Sequence, residues 1–102
     1  MRTINNLLSL EGRIYVWLED EEIQRRFMQD AEAEGFTFGE DRLPTRMPLD
    51  SIVALNINHT LNYVGIIGHM AFDHPTHVSG QKLIRVDYEK YIAGDDDYLI
   101  LY

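Results

Sequence analysis

The segment Arg13-Ile-Tyr-Val-Trp-Leu-Glu19 constrains the fold more than any other in the chain. In an extended backbone Ile14, Val16 and Leu18 point to one face, and Tyr15 and Trp17 to the other. β-Branched and aromatic residues on both faces mark a strand covered on both sides, hence central in its sheet. Any fold built on it needs material above and below the sheet. The chain has 102 residues, so one domain, spanning 1–102, must supply both layers.

The candidates for that cover follow from local pattern. Asp20 to Glu34 predicts a helix, with Asp20 as N-cap, Glu21 and Glu22 at the positive end of the dipole, and Gly35 as the C′ residue. Ile23, Phe27 and Ala31 recur every fourth residue and form its apolar stripe. Glu21 with Arg25, and Glu22 with Arg26, are i,i+4 pairs in the favourable order. Gly35 to Gly39 predicts a short strand. Val53, Leu55 and Ile57 alternate, then Leu61, Tyr63, Gly65 and Ile67, with Asn58-His59 as the hairpin turn between them. Gly68 to Gly80 is expected to be a loop with room for one helical turn. Lys82 to Val86 predicts a strand, Asp87 a cap for a short helix to Ala93, and Tyr98 to Tyr102 a last strand. The segment before Arg13 is compatible with a short helix or an edge strand. The expectation is an α+β domain: a mixed or antiparallel sheet of four or five strands with one main helix packed on a face. A second helix, or a partner subunit, would cover Tyr15 and Trp17.

Composition narrows the function classes. There are no cysteines, which removes disulfides, thiolate nucleophiles and sulfur metal sites and leans towards a reducing, cytoplasmic compartment. The N-terminus is too polar for a signal peptide, and no apolar run nears the roughly 20 residues of a membrane span. The net charge is −8, which argues against direct binding to nucleic acid. Residues 19–41 concentrate that charge, with nine carboxylates against Arg25 and Arg26. The leading expectation is a non-catalytic binding domain. Glu21, Glu22, Asp30, Glu32, Glu34, Glu40 and Asp41 would engage a basic protein such as a nucleic-acid-binding one. An acidic surface kept for solubility is the plainer reading. Asp30 and Glu34 lie beside the apolar stripe, and a structural role for them calls for partners such as Arg13, Arg85 or Lys82.

A rival reading uses histidine. All four histidines fall between positions 59 and 77, and three share one stretch with a carboxylate: His69, Asp73, His74 and His77. Imidazole and carboxylate are ligands for a divalent metal, and imidazole also serves acid/base catalysis near neutrality. The spacing matches no established zinc pattern, and a polar surface loop explains it as well. No other cofactor is expected. A third reading is a nucleotide-like ligand, with arginines on phosphate and Tyr63, Tyr88 or Trp17 stacked on a base. The apolar tail Tyr98-Leu-Ile-Leu-Tyr102, left at a sheet edge, would invite strand pairing, so a homodimer is expected unless the tail lies between other strands.

Three stretches, Phe27-Met-Gln-Asp-Ala-Glu-Ala-Glu-Gly-Phe-Thr-Phe-Gly39, Tyr63-Val-Gly-Ile-Ile-Gly-His-Met-Ala-Phe72 and Val86-Asp-Tyr-Glu-Lys-Tyr91, resemble small proteins of phages and mobile elements in Gram-positive bacteria. The resemblance covers about half the chain and carries no catalytic motif. It implies the tasks such elements encode, among them inhibition of host defence enzymes and sequestration of small signals.

Overall fold

A computed structural model gives the fold and describes residues 2–73, the backbone of 77–78, and residues 80–101. It is an α+β domain built on a mixed sheet. The elements in order are α1 (Ile4–Leu7), β1 (Arg13–Trp17), α2 (Glu21–Ala33), β2 (Thr37–Phe38), a 3-10 turn (Pro44–Arg46), β3 (Ile52–Leu55), β4 (Thr60–Tyr63), α3 (Gly65–Asp73), β5 (His77–Val78), β6 (Gln81–Asp87) and α4 (Tyr88–Ile92). The strands lie side by side as β2-β4-β3-β1-β6-β5. The sheet gains its sixth strand because β2 and β5 are two-residue pieces at its two edges.

β1 is central, as its two apolar faces require. It pairs antiparallel with β3, Ile14 opposite Leu55, and parallel with β6, Tyr15 opposite Arg85. On one face Ile14, Val16 and Leu18 join Val53, Leu61 and Val86 beneath α2. That helix begins where expected, because the Asp20 carboxylate accepts the Ile23 amide at 2.9 Å. It ends at Gly35, whose φ of +87° only glycine adopts readily. Ile23, Phe27, Met28 and Ala31 are the buried stripe. Burying Phe27 completely stabilises the fold by about 2–3 kcal/mol.

The other face holds a second, smaller cluster of Tyr15, Ile52, Ala54, Leu83 and Phe72, with Trp17, Val64 and Ile100 packed against it. The cover for Tyr15 and Trp17 thus comes from within the chain, from Phe72 of α3 and Ile100 of the tail. This corrects the expected loop over 68–80. β4 stops at Tyr63, and Gly65 turns the chain at φ +67° into a nine-residue helix. Ile67 therefore belongs to that helix and not to a strand. Gly68 permits the tight start: a Cβ there would lie 2.3 Å from the Cβ of Val64. β5, also within the expected loop, pairs antiparallel with the start of β6, His77 opposite Lys82.

Further differences are local. The hairpin loop runs from Asn56 to His59, and His59 rather than Asn58 takes the positive φ, at 62°. The segment before β1 contains a helix, α1. The tail is not a regular strand. It follows the edge of β6 through a single bridge, Leu99 to Val86, with Asp87 N–H donating to Tyr98 O at 2.8 Å and Ile100 N–H to Arg85 O at 2.9 Å. Tyr102 lies outside the described residues. Among the described residues no helix is long and apolar enough to cross a membrane.

The pairing directions fix the molecule's polarity. β1, β2, β4 and β6 run the same way and β3 runs against them. Their carboxyl ends therefore share one end of the sheet with the amino end of β3. Glu19 to Glu22 follow β1 there, Glu40 and Asp41 follow β2, Asp50 precedes β3, and α3 starts just beyond β4.

Candidate functional site

The acidic segment divides into carboxylates bound within the fold and carboxylates facing solvent. Glu34 accepts the amides of Ile4 and Asn5, both at 2.9 Å, and so caps α1 from the end of α2. Asp30 accepts the Tyr88 hydroxyl at 2.6 Å and the Arg26 Nε–H at 3.0 Å. The partners of these two carboxylates are thus helical and N-terminal neighbours rather than Arg13, Arg85 or Lys82. Arg26 turns to Asp30 rather than to Glu22, one turn along α2 in the other direction. Glu32 accepts the Thr45 hydroxyl at 2.6 Å and its amide at 3.1 Å, and the hydroxyl bond chiefly holds its pKa below the ordinary value. Glu21 pairs with Arg25 as expected. Glu22, Glu40 and Asp41 are exposed, as is Glu19. These four sit at the carboxyl end of the sheet.

Asp30 and Glu34 also line an open groove of about 610 Å³ between α2, α4 and the N-terminal segment, with Arg2, Arg26, Tyr88 and Ile92. The groove brings two of the arginines and one tyrosine of the nucleotide reading together. Each is already engaged. Arg2 donates to Asp96 at 3.1 Å and lies over the rings of Tyr91 and Tyr98, at 5.3 and 5.0 Å. Tyr88 is buried, edge-on to Phe27 at 5.0 Å, and leaves no ring face open. Burial first, and the Asp30 contact second, push its hydroxyl pKa far above the ordinary value. Tyr63 stacks on Phe38 at 4.8 Å on the α2 face, whereas Trp17 lies on the opposite one.

The histidine stretch resolves into a helix. His69 projects from α3, half-buried, with Nε2 3.3 Å from the Asp50 carboxylate. Asp73 is exposed one turn further on. His74 and the side chain of His77 lie outside the described residues. Among the described residues no three histidine, aspartate or glutamate side chains gather as a metal site. His59 is elsewhere: it packs on Phe36 at 5.0 Å, and its Nε2 meets Asn5 Oδ1 at 2.7 Å.

A different feature of α3 stands out. Ile66 and Ile67 are each 83% exposed and Met70 is 62% exposed. At 100° per residue Ile66, Met70 and Asp73 share one stripe with Ile67 beside it, opposite buried Gly68 and Phe72. The tail adds Leu101, 79% exposed, at the helix's C-terminal end. Arg85 joins the two, donating to Phe72 O and Leu101 O, each at 2.9 Å. The sequence expectation set Ile67 in a strand and Met70 in a loop, so this helix face was not expected. Gly65 was the available signal that the strand ends there, since it takes a positive φ.

No protein-family model, curated protein or solved structure matches the chain.

Proposed function

We propose that this domain is a non-catalytic binding module that recognises a basic protein partner in the cytoplasm. The observation that supports it is the placement of Glu19, Glu22, Glu40 and Asp41, all exposed at the carboxyl end of the sheet. That narrows the acidic surface to the carboxylates that folding does not use, since Asp30, Glu32 and Glu34 each hold another part of the chain. Charge of this kind accelerates encounter with a basic surface and makes binding salt-sensitive. The phage-like resemblance fits an inhibitor or adaptor acting on a nucleic-acid-binding host protein.

The test is affinity capture from a Gram-positive lysate at low and at high salt, beside a variant with Glu19→Gln, Glu22→Gln, Glu40→Gln and Asp41→Asn. Basic proteins should be retained at low salt, released at high salt, and lost by the variant. If nothing basic is retained at low salt, the reading fails.

A further inference from the structure

The exposed stripe of α3 is expensive to leave in water. Three large aliphatic side chains in adjacent turns, two of them 83% exposed, form a patch on a helix whose other side already packs on the sheet. The charges around the patch say what would cover it. Asp73 lies on the stripe itself. Asp50 touches His69 of the same helix, and the Leu18 amide bonds Ser51 O at 2.7 Å, which sets Glu19 beside Asp50. The C-terminal end of α3 adds the negative pole of its dipole. Among the described residues, the basic side chains beside the patch are engaged within the fold: His69 Nε2 with Asp50, and Arg85 with the carbonyls of Phe72 and Leu101. The patch is an apolar floor with a negative rim.

We propose that α3 docks an amphipathic basic helix of the partner protein. The partner's apolar stripe lies on Ile66, Ile67 and Met70, and its lysines or arginines face Glu19, Asp50 and Asp73. This rests on the reading of the domain as a module for basic proteins and adds the docking element and the shape of the ligand. Anchors one turn apart, at 66 and 70, match the i, i+4 spacing by which one helix reads another, and methionine adapts to varied side chains. A second copy of this chain is a poorer occupant, because a net charge of −8 on each would bring like rims together. An anionic lipid surface is repelled for the same reason.

Calorimetric titration of the full chain with synthetic helical peptides about five turns long tests this. One peptide carries leucine on a single stripe and lysine elsewhere. A second has the same composition scrambled to disperse the leucines, and a third keeps the stripe but replaces lysine with glutamine. The first should bind saturably, at least about tenfold tighter than either of the others. Ile67→Ser with Met70→Ser should remove that advantage, with the melting temperature unchanged because both side chains are exposed. Asp73→Asn should weaken the first peptide and leave the third unaffected, which supplies a readout even if the double variant folds poorly. If the scrambled peptide binds as tightly as the first, helix docking is refuted while recognition of basic partners stands. If the glutamine peptide binds as tightly, it is recognition of basic partners that fails. Absence of any binding refutes the docking. So does tight binding to vesicles of anionic lipid, or a dimer in solution that the double variant dissolves.

Discussion

Replacing Tyr88 with phenylalanine tests how the α2–α4 side of the domain is held together. The ring would stay buried and keep its edge contact with Phe27, so the change removes the hydroxyl bond to Asp30 at 2.6 Å and little else. A hydrogen bond to a charged group contributes about 1.5–3 kcal/mol. Asp30 is part-exposed and keeps Arg26, which places the expected loss near the lower end, about 1.5 kcal/mol at pH 7. For a domain of this size that lowers the melting temperature by roughly 6–12 °C. The pH dependence is more diagnostic. Burial and the Asp30 contact raise the Tyr88 pKa above its unfolded value of 10. Below pH 10 the phenol is protonated in both states, and its contribution is complete. Above pH 10 the unfolded chain gives up the proton and the folded chain keeps it. Stability then falls with rising pH, by up to about 1.4 kcal/mol per unit. The wild type carries this loss and Tyr88→Phe does not, so the gap between them should close by about pH 11. Tyr63 and Tyr91, also raised chiefly by burial, contribute the same slope to both proteins and cancel. Urea denaturation followed by circular dichroism from pH 7 to pH 11 measures it. A gap that stays constant across that range, or is absent at pH 7, would show that the Tyr88–Asp30 bond does not stabilise the fold in this way.

Other substitutions probe the remaining joints. Gly12→Ala should cost about 2–3 kcal/mol or prevent folding, because φ is +142° and a Cβ would lie 2.5 Å from Lys82 O; urea titration or soluble yield reports it. Glu34→Gln should loosen the N-terminal segment, with faster hydrogen exchange at the amides of Ile4 and Asn5 and a stability loss of about 1 kcal/mol. Asp20→Ala removes the cap on Ile23 N–H and should cost about 1 kcal/mol in the same titration, with the fold unchanged.

What the sequence made legible were the features with a strong local cause. The doubly apolar run Ile14 to Leu18 required a central strand, and β1 is one. Asp20, the stripe from Ile23 to Ala31, and Gly35 together define α2 to within a residue at either end. Asp87 does cap α4, by accepting the Lys90 amide at 3.3 Å. The reading failed where tertiary position outweighs pattern. Gly65 and Ile67 continue the alternation of Leu61 and Tyr63, yet the backbone turns at Gly65 and the next isoleucines face water. Periodicity assumes that apolar side chains point inward, and α3 breaks that assumption. The tail is apolar enough for a strand, but among the described residues only two of its backbone groups bond to the backbone of β6. At the candidate site, the excess of carboxylates was plain in the sequence. Which of them the fold consumes was not, because Glu34 finds its partners 29 and 30 residues away and Asp30 finds Tyr88 58 residues away.

The proposed docking places a basic helix on α3, which starts at the acidic end of the sheet. Amide chemical-shift mapping of the labelled full chain during titration with the leucine–lysine peptide tests it most directly. Docking on α3 should give saturable shifts at Ile66, Ile67, Met70 and Asp73, spreading to Glu19 and Asp50, and fading as salt is added. Shifts confined to the groove between α2 and α4, around Arg26, Glu34 and Ile92, would contradict it and move the binding surface to the other side of the molecule.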